Sequence, residues 1–164
     1  MWKNAHWMMI LAMLASGPAL AHGTDDHAKP PVSEGEGGHA SALGQPGDPK
    51  ARARAITITM TDNMRFSPAR IMVRPGETVK LVVKNSGTLT HELVLGTAKE
   101  LAEHAELMRK FPEMEHDDPN AVSVEPGKSG ILIWQFTTKP GEYDFGCLVP
   151  GHFEAGMIGK IVVR

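Results

Sequence analysis

Residues 147–157, CLVPGHFEAGM, hold the only cysteine of the chain, with His152 and then Met157 following it. A thiolate and a thioether are soft donors and an imidazole is borderline, a set that suits copper, whereas Mg²⁺ and Ca²⁺ prefer oxygen. The Gly and Pro residues between the three allow the segment to turn, so that one loop can aim three donors at one point. A fourth donor has to come from elsewhere in the chain. His91, in NSGTLTHELVLG, opens a strand-like segment after a polar turn and is the candidate. Two His, one Cys and a weak axial Met make the donor set of a mononuclear copper site that exchanges one electron.

Other metal chemistries fit less well. Cys, two His and a fourth donor can also hold tetrahedral zinc, but structural zinc sites are built from Cys and His and do not need the thioether. A trinuclear copper cluster needs several His-x-His pairs, and the sequence has none. A dinuclear centre bridged by thiolates needs two cysteines. The reading is therefore of a protein that handles copper or electrons, not of a multicopper enzyme.

The N-terminus bears on the compartment. Lys3 precedes the apolar run MMILAMLASGPAL, no acid occurs before Asp25, and ALA at 19–21 supplies small residues for a signal peptidase. Gly17 and Pro18 interrupt the run, which is shorter than the roughly 20 apolar residues of a membrane span. Residues 1–21 are thus expected to be a signal peptide cleaved after Ala21, giving a periplasmic protein with no membrane span in its mature form. In an oxidising compartment a lone cysteine lacks a disulfide partner within its chain, and metal ligation is one explanation for it. The formal net charge of −2 argues against a nucleic-acid partner.

The elements that must position these donors follow from patterning. Residues 22–54 are mostly Gly, Pro and charge, too poor in large apolar residues to offset their ordering entropy, and are expected to form a flexible extension. From residue 55 to 164 the pattern is strand-like: AITITMT alternates, IMVRPGETVKLVVKN reads as two strands about an Arg-Pro-Gly-Glu turn, and HELVLG, AVSVEPGKSGILIWQFT, GEYDFGC and MIGKIVV follow. About eight short strands predict an all-β domain, a two-sheet Greek-key sandwich. TAKELAEHAELMRKF, about 97–111, departs from this. Thr97 and Glu100 have capping-box spacing, Leu101, Ala105, Met108 and Phe111 share one face, and Pro112 stops the run, which predicts one inserted helix.

An exported β-sandwich with an upstream His and Cys-x4-His-x4-Met before the last strand resembles the cupredoxins over about residues 55–164. The resemblance implies a cupredoxin-like Greek-key β-sandwich, with His91, Cys147 and His152 as equatorial ligands of one type 1 copper and Met157 as the axial ligand. It is closer still to the small periplasmic cupredoxins of bacterial copper tolerance, through HELVLGTAKELAEHAELMRKFPEMEHDDPNAVSVEPGKSG and CLVPGHFEAGM. That implies copper binding in the service of tolerance; the alternative is a soluble carrier of single electrons between periplasmic redox proteins. In the family the C-terminal His presents its edge to solvent through an apolar patch, so a redox partner is expected to dock near His152, flanked here by Val149, Pro150, Phe153 and Ala155. Several electron carriers have Asn after the upstream His. Glu92 stands there instead, which implies different hydrogen bonding around the site.

The chain holds more His and Met than one site uses. His22, His27 and His39 lie in the extension, and His104, Met108, Met114 and His116 lie in or after the helix, with His104 and Met108 on one helical face. They are candidate ligands of an auxiliary, weaker copper site. The competing reading is that Met108 fills core, His104 borders it and the others are solvated.

Overall fold

The structure is a computed structural model that describes residues 41–112 and 118–164. Among these residues the period-two apolar pattern becomes ten strands and the capped segment becomes one helix. The strands are β1 (Gln45–Pro46), β2 (Arg54–Thr61), β3 (Arg65–Ser67), β4 (Arg70–Val73), β5 (Thr78–Asn85), β6 (His91–Gly96), β7 (Ala121–Val124), β8 (Ser129–Gln135), β9 (Gly141–Gly146) and β10 (Ile158–Val163). Helix α1 (Ala98–Lys110) lies between β6 and β7.

Two five-stranded sheets form, one in the order β1-β8-β5-β2-β3 and the other in the order β4-β10-β9-β6-β7. The β2–β5 and β4–β10 pairs are parallel and the rest antiparallel. The Arg-Pro-Gly-Glu turn joins β4 to β5, which belong to different sheets, and the Glu-Pro-Gly-Lys turn likewise carries β7 in one sheet to β8 in the other. These two tight turns are therefore crossings between layers, as in a Greek-key sandwich. Alternate side chains meet between the sheets: Ile58, Met60, Val79, Leu81, Val83, Trp134, Phe136, Phe145 and Ile161 are buried there, each contributing about 1.5–3 kcal/mol if fully withdrawn from water.

The helix forms as its caps predict. The Thr97 hydroxyl accepts the Glu100 N–H while the Glu100 carboxylate accepts the Thr97 N–H, and Leu101 and Ala105 are buried. They pack with Val94 and Leu148 in a small second cluster on the outer side of β6. Phe111 departs from the expected stripe. As the C-cap it leaves helical geometry, and its ring is 53% exposed.

The folded domain also begins earlier in the chain than the composition implies. Residues 41–54, expected to belong to it, are built into the sandwich: Leu43 is fully buried, β1 pairs with β8, and Arg54 pairs with Val79. Leu43 and the edge of β8 help to seat this segment. Gly44 lets the chain approach, since its φ of +141° suits glycine and a Cβ there would lie 2.0 Å from the Gln135 carbonyl oxygen. The leader, its cleavage position and the first part of the extension lie outside the described residues. No helix among the described residues is long and apolar enough to cross a membrane.

Candidate metal centre

Three strand ends carry candidate donors. His91 is the first residue of β6, Cys147 directly follows β9, and Met157 directly precedes β10. The β6–β9 ladder, with Val94 opposite Gly146, sets the upstream histidine beside the cysteine. The intervening loop is closed by its own backbone: the Cys147 N–H donates to the Met157 carbonyl at 3.1 Å, and the Met157 N–H to the His152 carbonyl at 3.0 Å. Ladder pairing of β9 with β10 thus continues into the loop and fixes Cys147 beside Met157.

One donor atom from each of His91, Cys147 and His152 lies within 4.8 Å of the others. The Cys147 Sγ is 3.4 Å from the His152 Nδ1, and the two imidazole rings are 4.9 Å apart at 49°. His91, Cys147 and Met157 are fully buried, and His152 is half-buried. His91 has Nε2 3.0 Å from the Asp62 Oδ1, while its Nδ1 is buried with no hydrogen-bond partner. An orphaned acceptor inside a protein is costly unless something occupies it. A cation held by Nδ1, the sulfur and His152 satisfies it, so the donor set fits a type 1 copper.

Electrostatics point the same way. Burial pushes the Cys147 thiol up to about 11, with the N–H groups of Glu92 and Val149 partly opposing it. Without a cation the sulfur therefore keeps its proton, and a bound metal reverses the preference because a coordinated thiol is deprotonated. Burial, then the neighbouring His91, pushes His152 below its ordinary value, which favours the neutral ring a metal needs. The Glu92 carboxyl is pushed up to about 7, by burial first and then by the charge of Asp118. Its side chain follows strand alternation to the face of β6 opposite His91. The hydrogen bond to sulfur comes from the Glu92 main-chain N–H at 3.4 Å, so it does not depend on whether Asn or Glu follows the histidine.

Two supporting residues are not evident from sequence. Asp62, in the turn after β2, contacts His91. Arg65, at the start of β3, donates to the carbonyls of Met64, Ala155 and Gly156 at 2.7, 3.1 and 3.3 Å, tying the same turn to the ligand loop. Neither lies in a recognisable motif, and the only signal is a polar turn.

A model of copper-binding proteins of the plastocyanin/azurin family matches residues 53–164, well over half of the chain. The chain belongs to this family. Among curated proteins, this cupredoxin is 47% identical to the copper-resistant cuproprotein CopI of Rubrivivax gelatinosus, over 96% of this chain and 94% of the relative. It is 37% identical to the CopI of Pseudomonas aeruginosa strain PAO1, over 77% and 84%. Of solved structures, auracyanin B superposes with a TM-score of 0.61 at 22% identity, covering 78% of the cupredoxin and 96% of the auracyanin. The dithionite-reduced auracyanin of Roseiflexus castenholzii gives 0.58 at 22%, covering 70% and 99%. These two likenesses bear on the fold alone.

Of the remaining sequence candidates, the two that are described, His104 and Met108, lie on α1. His104 sits on α1 with Nε2 3.8 Å from the Asp118 Oδ2. Met108, also on α1, packs against the cluster of Val94, Leu101, Ala105 and Leu148. His22, His27, His39, Met114 and His116 lie outside the described residues.

Proposed function

We propose that this cupredoxin is a periplasmic, mononuclear type 1 copper protein whose redox-active centre serves copper tolerance. The observation that carries the reading is the 47% identity to a copper-resistant cuproprotein over almost the whole chain, in a protein that carries His91, Cys147, His152 and Met157. Copper, when bound, supplies reversible one-electron exchange. His91 and His152 would hold a bound copper through Nδ1, Cys147 through its thiolate and Met157 through its thioether. Backbone ladders fix Cys147 and Met157, and Asp62 fixes His91, so the donors change position little when the charge of the centre changes. Among the four, only His152 has solvent access, so its ring would be the most direct route for an electron to a partner. The N-terminal leader supports export, with cleavage after Ala21. His22, His27 and His39 of the extension, His104 and Met108 of the helix, and Met114 and His116 after it in sequence remain candidates for a second, weaker copper.

Two experiments test this. Deleting the gene is expected to make the host copper-sensitive while growth at trace copper stays normal; impaired respiration or photosynthesis with unchanged copper tolerance would overturn the tolerance role in favour of electron shuttling. Met157→Gln is expected to keep copper but shift its spectrum and lower its potential, since a harder axial donor favours Cu(II). An unchanged spectrum and potential would remove Met157 from the coordination sphere.

A further inference from the structure

The two nitrogens of the buried His91 ring have different surroundings. Nε2 meets the Asp62 carboxylate at 3.0 Å, and Nδ1 meets no hydrogen-bond partner. Asp62 is itself tightly held. Its Oδ2 accepts the Thr88 N–H at 2.7 Å and the Thr88 hydroxyl at 2.8 Å, and its Oδ1 accepts the Leu89 N–H at 3.3 Å as well as facing His91. Those donors belong to residues 86–90, the loop that leads directly into His91.

That loop is pinned from its other side by the buried Asn85, whose Nδ2 donates to the Leu89 and Val124 carbonyls at 2.7 and 2.8 Å and whose Oδ1 accepts the Gly87 N–H at 2.9 Å. Space for the carboxylate is reserved too: a Cβ on Gly87 would lie 1.9 Å from the Asp62 Oδ1. A carboxylate placed by three donors from one loop, against a glycine, and turned toward a wholly buried imidazole is more than a surface ion pair.

We propose that Asp62 is a positioning residue for the copper site that acts through His91, selecting the ring form with the proton on Nε2, turning the Nδ1 lone pair toward Cys147 and His152, and strengthening that nitrogen as a donor to Cu(II). The proposal rests on the copper reading above. The physical reason is that an imidazole N–H donating to a carboxylate gains electron density at its other nitrogen, and a more basic donor stabilises the more highly charged ion more. Asp62 therefore lowers the reduction potential. A brace with no electronic role would stabilise the fold and leave the balance between the two copper states alone.

Asp62→Asn separates the two, because asparagine keeps an oxygen that can accept the Nε2–H while losing the charge. Loss of such a partner typically weakens metal binding about 10–100-fold. The expected result is a fall of that size in Cu(II) affinity and a smaller one in Cu(I) affinity, raising the potential by about 59 mV for each tenfold difference between them. An unchanged potential in a copper-loaded, folded variant would overturn the proposal. The unaltered copper-free protein gives a second measurement that needs no variant: nitrogen-15 NMR of His91 is expected to find the proton on Nε2, and a proton on Nδ1 would overturn the assignment even if Asp62→Asn did not fold. The visible band of the unaltered protein, recorded alongside, isolates the two readings, since its absence would defeat the copper assignment itself whereas a normal band with an unshifted Asp62→Asn potential defeats only the role of Asp62.

Discussion

Cys147→Ser is expected to stay folded and remain colourless when Cu(II) is added. The visible band of such a centre arises from charge transfer out of the thiolate, and no other donor of the set, two imidazoles and a thioether, replaces it. Folding should survive because the side chain is small and sits in the loop between β9 and β10, where the Glu92 N–H that reaches the sulfur at 3.4 Å can serve a hydroxyl instead. Burying that hydroxyl without such a donor would cost about 1–3 kcal/mol. Circular dichroism and the visible spectrum of the same sample check both halves. A Cys147→Ser protein that keeps the band would remove Cys147 from the centre.

Gly159→Ala is expected to be the costliest small change near the site. Gly159 on β10 lies opposite Phe145 on β9, and the Phe145 ring lies over it: a Cβ there would sit 2.1 Å from the Phe145 Cζ. That ring is fully buried and meets Phe66 edge-on, with centroids 4.9 Å apart at 66°. An added methyl must push the ring out of this contact, an overpacking that costs about 1–3 kcal/mol. Phe145 on β9 precedes Cys147 by one intervening glycine, so the displacement should also disturb the copper spectrum. Urea unfolding measures the stability loss, and an unchanged midpoint would mean the ring has a second, equally good position.

The candidate donors and the frame were legible in sequence for separate reasons. His91, Cys147, His152 and Met157 stand out because soft donors are rare and three of them share one loop. The strands follow from alternation, and α1 follows from Thr97 and Glu100, whose reciprocal hydrogen bonds are local. Contacts distant in sequence were not legible. Asp62 lies 29 residues before His91 in a turn that looks like any polar turn. The seating of Leu43 depends on an open edge of β8 some ninety residues later in the ladder, a pairing no local pattern encodes. The turns about Pro75 and Pro126 are legible as turns, but sequence does not give the sheet that each flanking strand joins. The bond from the Glu92 N–H to sulfur is a main-chain contact, which side-chain identity cannot reveal.

The most direct test of the centre is a titration of the copper-free mature protein with Cu(II), followed by visible absorption. A thiolate-to-Cu(II) band that grows linearly and stops at one equivalent is expected from a single site built on Cys147, His91 and His152. A protein that takes up Cu(II) without developing any visible band would contradict it, because its copper would then be bound away from the only thiol in the chain.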